Sequence, residues 1–300
     1  MQNHLKGIIY AGITALFWGV LAIVLKIIDD KVEPITIVWF RFLLAFMILA
    51  FWQAAKNPGS FKTLIRPPVL LVVATLALTW NYIGFMMGIH YTTPSNAQLF
   101  IQTGPILLAL AGIFFFREKI TRLQIIGFVI ALGGMAFFYR DQLMAFFDVQ
   151  QKYNLGVIHL LIAAVAWALY AVLQKKLVMK LDIQSLNLFI FGLPVLILLP
   201  FVNFASLQHL SLVTWLLLLF GGINTLLSYT TLSKALQLIE ASKVSIIIIM
   251  NPIITFITMG LLTQMNVKWF GHERFSAFSI IGGFLVLSGA VLVAKKQKQR

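Results

Sequence analysis

The sequence predicts an all-α membrane protein with ten transmembrane helices, arranged as two inverted five-helix repeats. Composition, the length of the apolar stretches and an internal repeat support this prediction. Hydrophobic residues make up 60% of the 300 residues and charged residues only 11%, with a mean hydropathy of +0.94. Because a soluble domain carries about 25% charged residues, this composition favours a chain whose surface faces lipid.

Ten apolar stretches are each long enough to cross a bilayer, since about 20 apolar helical residues span about 30 Å of hydrocarbon. They cover 7–28, 34–54, 68–91, 94–116, 120–139, 155–176, 183–204, 212–236, 241–265 and 275–294. The connecting loops are too short for a soluble domain. Residues 1–6 lead directly into the first stretch, so we expect no removable signal peptide.

The positively charged residues are divided unequally between the two sides that these spans define. Only five of the 23 Lys and Arg residues fall in the loops of one side, namely Lys31, Arg140, Lys152, Lys268 and Arg274. Positively charged loops stay cytoplasmic, so we expect both termini to be cytoplasmic in the cell (inner) membrane. The net charge of +14 is therefore a property of loops and does not predict nucleic-acid binding; the expected partners are the lipid bilayer and a small-molecule substrate.

The first half of the chain is repeated in the second half. Residues 7–26 align with 156–175, which places Trp18 over Trp167, and further along Pro105 aligns with Pro252 and Glu118 with Glu273. The repeats are predicted to be 1–149 and 150–300. Because each contains an odd number of spans, they lie in the membrane in opposite senses, an architecture of secondary transporters with the site at the repeat interface.

Several short motifs of the chain resemble the EamA repeat of the drug/metabolite transporter superfamily. They are Trp18-Gly19, Pro34, Arg41 to Ala45, Gly104-Pro105, Arg117 to Ile120 with Gly127, and, more weakly, Trp167, Ala241-Ser242, Asn251-Pro252, Glu273 and Gly282. The resemblance implies ten helices, cytoplasmic termini, a central cavity and alternating access. It also implies substrates such as amino acids, choline-like cations or nucleotide precursors. An insertion at 264–271 departs from the pattern.

Polar, aromatic and small side chains recur three or four residues apart in six spans and therefore share helix faces. The substrate-binding residues predicted from these faces are Thr14, Trp18, Asn81, Gln98, Gln102, Trp167, Tyr170, Asn224, Ser228 and Ser245. The alternative is that the same side chains serve helix packing, for which small and hydrogen-bonding residues are typical in membranes. The mid-span pair Trp18 and Trp167 is predicted to form either an aromatic lining, suited to an apolar side chain or a quaternary ammonium, or an ordinary aromatic core.

Two prolines and one arginine lie inside the spans. Pro105 and Pro252 occupy matched positions and are predicted hinges, with static bends as the alternative, because proline removes a helix hydrogen bond. Arg41 lies about two turns inside span 2, where an unpaired charge costs several kcal/mol. Its partner is left open between an acid of the preceding loop, a carbonyl at a span end and a substrate carboxylate; in the last case Arg41 is a carboxylate anchor.

None of the nine acidic residues lies near a span centre, which argues against proton-coupled cation export through a buried carboxylate. His90 and His159 are predicted to be interfacial hydrogen-bonding groups, and Glu118 and Glu273 to be helix caps or loop-pairing groups, with gating as the alternative. We expect no catalytic residues, cofactor or metal, and the absence of cysteine excludes thiolate ligands.

The sequence thus predicts a secondary transporter that moves an amino-acid-like metabolite by alternating access. It contains no GxxxxGK[ST] motif, so a gradient or exchange would supply the energy. Choline-like cation uptake, a membrane-embedded enzyme and a non-transporting membrane partner are the alternatives, and the oligomeric state stays open.

Overall fold

The computed structural model describes residues 2–138, 140, 151–265 and 277–294, and every regular element in them is helical. The α-helices are α1 (Gln2–Asp29), α2 (Pro34–Lys56), α3 (Lys62–Ile65), α4 (Val69–Tyr91), α5 (Pro94–Ile101), α6 (Thr103–Phe114), α7 (Arg122–Phe138), α8 (Gln151–Leu177), α9 (Ile183–Leu198), α10 (Leu212–Leu238), α11 (Ala241–Ile248), α12 (Asn251–Gln264) and α13 (Ala277–Ala294). Short 3-10 turns lie at Pro58–Phe61, Leu199–Phe201 and Phe204–Leu207.

Eight segments in the described part of the chain are long and apolar enough to cross a membrane, and Arg122–Phe138 and Ile280–Val293 are shorter apolar helices. The predicted all-α membrane class is confirmed at this level. Asp141, Asp148, Glu273 and all but the first two residues of the insertion at 264–271 lie outside the described residues.

The helices begin where the sequence supplies a partner for their free N–H groups. Asp182 accepts a hydrogen bond from the backbone N–H of Ser185 at 2.9 Å, and Ser211 accepts one from Thr214 at 3.2 Å. Helix α2 instead begins at Pro34, which has no N–H to satisfy. These caps fix the starts of α2, α9 and α10 close to the predicted positions.

The fourth and ninth predicted spans are each interrupted. Gln102 separates α5 from α6, and Ile249 and Met250 separate α11 from α12. The two prolines follow these breaks in the first turn of the next helix, where a missing N–H removes no intrahelical bond. Both predicted spans still cross as single segments, Pro94–Phe114 and Ala241–Leu262, and the matched prolines marked the two interruptions.

The main packing pairs join helices from opposite halves of the chain. Helix α1 packs on α10, α4 on α8, α6 on α11 and α7 on α13. Glycines allow the last pair to approach closely: a Cβ placed on Gly127 would lie 2.8 Å from the carbonyl oxygen of Gly289. Small residues at such contacts are typical of membrane helix pairs. The first three pairs each contribute residues to the centre of the bundle.

Candidate functional site

A cavity of about 70 Å³ lies at the centre of the bundle, where the broken helices meet α1, α2, α4, α8 and α10. Its wall is formed by Trp18, Leu21, Arg41, Asn81, Tyr82, Phe85, Gln98, Ile101, Gln102, Pro105, Trp167, Tyr229, Ile248 and Asn251. One water molecule needs about 10–15 Å³ of the space that is open to its centre. The cavity therefore has room for several waters or a small polar group. Seven of the residues predicted from sequence are in this wall.

Aromatic rings form one side of the cavity. Trp18 and Trp167 meet edge to face with centroids 5.8 Å apart, and Trp18 lies 5.4 Å from the ring of Tyr229. Tyr229 in turn lies 5.7 Å from Tyr82. The structure therefore brings the two mid-span tryptophans together, and they line a cavity as well as packing on each other.

Side-chain amides form a second part of the wall. Asn81 donates to the carbonyl of Ala163 at 2.9 Å, and Gln98 donates to the carbonyl of Trp18 at 3.2 Å. Gln102 differs: it is 1% exposed, and its Oε1 has no hydrogen-bond partner among the described residues. A buried polar atom left without a partner costs about 1–3 kcal/mol, so the carbonyl of Gln102 is an acceptor that a donor in the cavity would satisfy.

Arg41 supplies the charge of the cavity. It is 3% exposed, its guanidinium lies 4.4 Å from the centroid of the Tyr82 ring, and its Nε donates to the hydroxyl of Thr225 at 3.3 Å. Of the three acids before α2 that were candidate partners, Asp29, Asp30 and Glu33, two contact other groups: Asp29 pairs with Lys26 and His90, and Glu33 accepts from Asn203. Within the described part of the chain, no carboxylate forms a salt bridge with Arg41.

The predicted polar row of span 8 lies against α1 instead of the cavity wall. Asn224 donates to the carbonyl of Phe17 at 2.7 Å, and Ser228 donates to Asn224 at 3.1 Å. The hydroxyl of Thr14 lies 2.8 Å from that of Thr231. Thr14, Asn224 and Ser228 therefore join α1 to α10, which corresponds to the packing alternative.

Three other predicted residues also lie outside the wall of the cavity. Ser245 donates to the carbonyl of Ala241, one turn back in its own helix. Tyr170 is fully buried behind Tyr229, with ring centroids 5.7 Å apart. Pro252 lies in the first turn of α12, next to the wall residue Asn251.

Sequence reasoning did not assign Tyr82 and Tyr229 to the site, although both line the cavity. A signal was present, because the two tyrosines occupy the same position in the two repeats. The predicted polar residues Asn81 and Ser228 lie one position before these tyrosines, and therefore on a different helix face. The hydrogen bond from Tyr82 to Thr225, at 3.3 Å, depends on helices that are distant in sequence.

The acidic residues that the structure describes all lie at helix ends or in loops. Asp29 ends α1, Glu118 lies between α6 and α7, and Asp182 and Glu240 precede α9 and α11. His90 contacts Asp29 at 3.1 Å, and His159 contacts the carbonyl of Leu155. Charge inside the cavity therefore comes from Arg41 alone among its described wall residues.

A bundle of apolar membrane helices around a small polar and aromatic cavity defines an all-α membrane protein with a central cavity. Comparison with known proteins gives the family: the EamA-like transporter family matches residues 5–140 and 154–295. The chain belongs to the EamA-like transporter family, within the drug/metabolite transporter superfamily.

Individual relatives resemble the chain over nearly its whole length. It is 32% identical to the uncharacterized inner membrane transporter YhbE of Escherichia coli (strain K12), over 96% of this chain and 91% of that protein. It is 30% identical to an uncharacterized transporter of Haemophilus influenzae, over 98% of this chain and 96% of that one. A crystal structure at 17% identity matches with a TM-score of 0.75 over 98% of this chain and 97% of its own, which shows a shared fold.

Proposed function

We propose that this chain is a secondary transporter of the inner membrane that moves a small amino-acid-like metabolite by alternating access. The observation that carries the proposal is Arg41, which lines the central cavity with no carboxylate partner among the described residues. A buried charge needs compensation, and a guanidinium matches a carboxylate in shape and hydrogen bonding. A substrate carboxylate would supply what the described residues do not.

The rest of the cavity wall fits the remaining groups of an amino acid. The carbonyl of Gln102 lacks a donor among the described residues, and an α-ammonium group offers three N–H donors. Trp18 and Trp167 present aromatic surface, which binds apolar substrate side chains by burial and attracts an ammonium group through cation–π contact. We propose Arg41, Gln102, Trp18, Trp167, Asn81 and Gln98 as the binding residues.

The alternative of choline-like cation uptake shares the aromatic rings but conflicts with Arg41. A quaternary ammonium about 5 Å from the guanidinium would be repelled by about 3 kcal/mol at an effective dielectric constant of about 20. That repulsion exceeds the roughly 0.5–2 kcal/mol that a cation–π contact contributes. The carboxylate-bearing substrate is therefore preferred.

Alternating access is supported by the way the halves pack. Helix α1 packs on α10, and α4 packs on α8. These helices are the predicted spans 1, 8, 3 and 6. If the repeat relates span 1 to span 6 and span 3 to span 8, it converts the first of these pairs into the second. Such reciprocal pairing is what two inverted repeats, 1–149 and 150–300, would produce. Ten spans with both termini cytoplasmic, and hinges at Pro105 and Pro252, complete the proposal.

A matched ligand series tests the substrate class. Purified protein in detergent would be screened by thermal shift with an amino acid, its methyl ester, the corresponding amine without the carboxyl group, and choline. We expect stabilisation by the free amino acid, because mass action raises stability in proportion to the logarithm of ligand concentration over Kd, and loss of that stabilisation in the ester and the amine. Stabilisation by choline and not by any carboxylate would contradict the proposal.

A further inference from the structure

Glu118 connects the two halves of the chain at the end of the bundle where α1 begins. It lies in the loop between α6 and α7, and its two carboxylate oxygens accept hydrogen bonds from the backbone N–H groups of Ala241, at 2.7 Å, and Ser242, at 3.0 Å. These are the first two residues of α11. The carboxylate therefore caps a helix that lies more than a hundred residues away in sequence.

The local backbone is shaped to place this carboxylate. The N–H of Glu118 donates to the carbonyl of Gly112 at 3.0 Å, and Arg117 adopts a φ of 52°. A Cβ on Gly112 would lie 2.6 Å from a carboxylate oxygen of Glu118, so a larger residue would displace the carboxylate from this position. A left-handed residue and a helical glycine are costly local choices, and both accompany the contact with α11.

Helix α11 links this contact to the central cavity. It has eight residues, all of them buried, and is about 12 Å long at 1.5 Å per residue. One end is held by Glu118, and the other end carries Ile248 of the cavity wall, next to the break at Ile249 and Met250. A short buried helix with a break at one end and a single carboxylate cap at the other can move as a unit when the cap is released.

We infer that α11 is a gate of the central cavity and that Glu118 is the latch that keeps it closed toward the end of the bundle where α1 begins. A carboxylate on two N–H groups at a helix N-terminus is a strong contact, because both the charge and the helix dipole favour it. Glu118 does not line the central cavity and is a positioning residue, not a binding one. The inference rests on the alternating access proposed above.

Side-specific thiol labelling tests the latch. The chain has no cysteine, so Ile248→Cys places a single reporter in the cavity wall. A membrane-impermeant maleimide would be applied to right-side-out and to inverted vesicles that carry this reporter with Glu118, Glu118→Gln or Glu118→Ala. We expect Glu118→Ala to label about tenfold faster from the side on which α1 begins, which corresponds to about 1.4 kcal/mol of lost latch stability.

Glu118→Gln should give an intermediate rate, because its amide oxygen still accepts one N–H. Glu240→Ala is the matched control: Glu240 lines the same hollow as Glu118 but is paired with Lys243 at 2.9 Å. Burial raises the pKa of Glu240, but hydrogen bonds from Lys243 and the backbone, together with the positive charge nearby, outweigh burial and lower that pKa below its ordinary value. The control therefore removes a carboxylate from the same hollow. Its labelling rate should stay that of the parent.

Several outcomes would overturn the latch. The latch is overturned if the labelling rate of the reporter is unchanged in Glu118→Ala, or if it rises from the opposite side of the membrane. It is also overturned if Glu240→Ala raises the labelling rate as much as Glu118→Ala does. If Glu118→Ala does not fold, the test rests on Glu118→Gln alone. An unchanged labelling rate in Glu118→Gln then overturns the inference. Failure of alternating access itself is distinguishable, because the reporter would then label from one side at most in every variant, Glu118 included.

Discussion

The guanidinium of Arg41 lies 4.4 Å from the centroid of the Tyr82 ring, in the wall of the central cavity, and forms no salt bridge with a carboxylate among the described residues. The ring partly compensates the charge through a cation–π contact, which contributes about 2 kcal/mol when desolvated. A salt bridge would occupy the terminal N–H groups of the guanidinium. The Tyr82 ring does not accept them, and the hydrogen bond to Thr225 uses only Nε.

Replacing Arg41 by Gln should reduce substrate affinity by about 10- to 100-fold, because a hydrogen bond to a charged group contributes about 1.5–3 kcal/mol. Arg41→Lys keeps the charge but not the planar fork and should be intermediate. Affinity is measured by thermal shift and by uptake into proteoliposomes. Unchanged uptake of the carboxylate substrate in Arg41→Gln would remove Arg41 from the site.

Gln102→Ala should abolish most transport with little loss of folded protein, because the Gln102 carbonyl has no described partner to lose. Gln174 is the matched control: its buried carbonyl oxygen also has no partner among the described residues, but its amide donates to Ser233 at 2.6 Å and it lies away from the cavity wall. Gln174→Ala should lower stability by about 1 kcal/mol and leave affinity unchanged. Loss of transport in Gln174→Ala but not in Gln102→Ala would show that the substrate does not bind the helix face that carries Gln102.

Gly127→Ala should lower the thermal stability, because its Cβ would lie 2.8 Å from both the carbonyl oxygen of Gly289 and the side chain of Val293. Gly133, in the same helix, has nothing within 4 Å of its Cβ position. Gly133→Ala should be neutral or stabilising by about 0.5–1 kcal/mol, as for glycine in a helix interior. Equal melting temperatures for the two variants would contradict the close contact of α7 with α13.

Transport should not depend strongly on an imposed pH gradient, because the described acids lie at helix ends and in loops. Flux is measured in proteoliposomes with a clamped membrane potential, for the parent chain and for His90→Gln combined with His159→Gln. Strong gradient dependence that survives both replacements would place a titrating acid in the transport path and defeat this prediction.

Single-cysteine labelling should place residues 62, 119, 176 and 180 on the cytoplasmic side of the membrane and residues 148 and 208 on the opposite side. Residue 148 is not among the residues that the structure describes. The expectation follows from the distribution of Lys and Arg over the loops. A carboxyl terminus accessible only from the outside would require an odd number of spans and would contradict the inverted repeats.

Local rules account for most of what the sequence predicted. Apolar length predicted the membrane helices, and the matched prolines marked the two breaks. Each of these depends on a few neighbouring residues, so one sequence without a structure is sufficient. The family resemblance and seven residues of the cavity wall followed from the same level of reasoning.

By itself, the sequence determined the class of the protein, its helices and the polar candidates on each helix face. Only the tertiary structure decided which faces meet: Asn224 and Ser228 turn toward α1, Tyr82 and Tyr229 line the cavity, and Glu118 reaches α11. The physical reason is that polar groups in a membrane must find partners on other helices. The sequence of a helix face shows that its polar groups need partners. The packing of distant segments determines whether those groups bond to another helix or line the cavity.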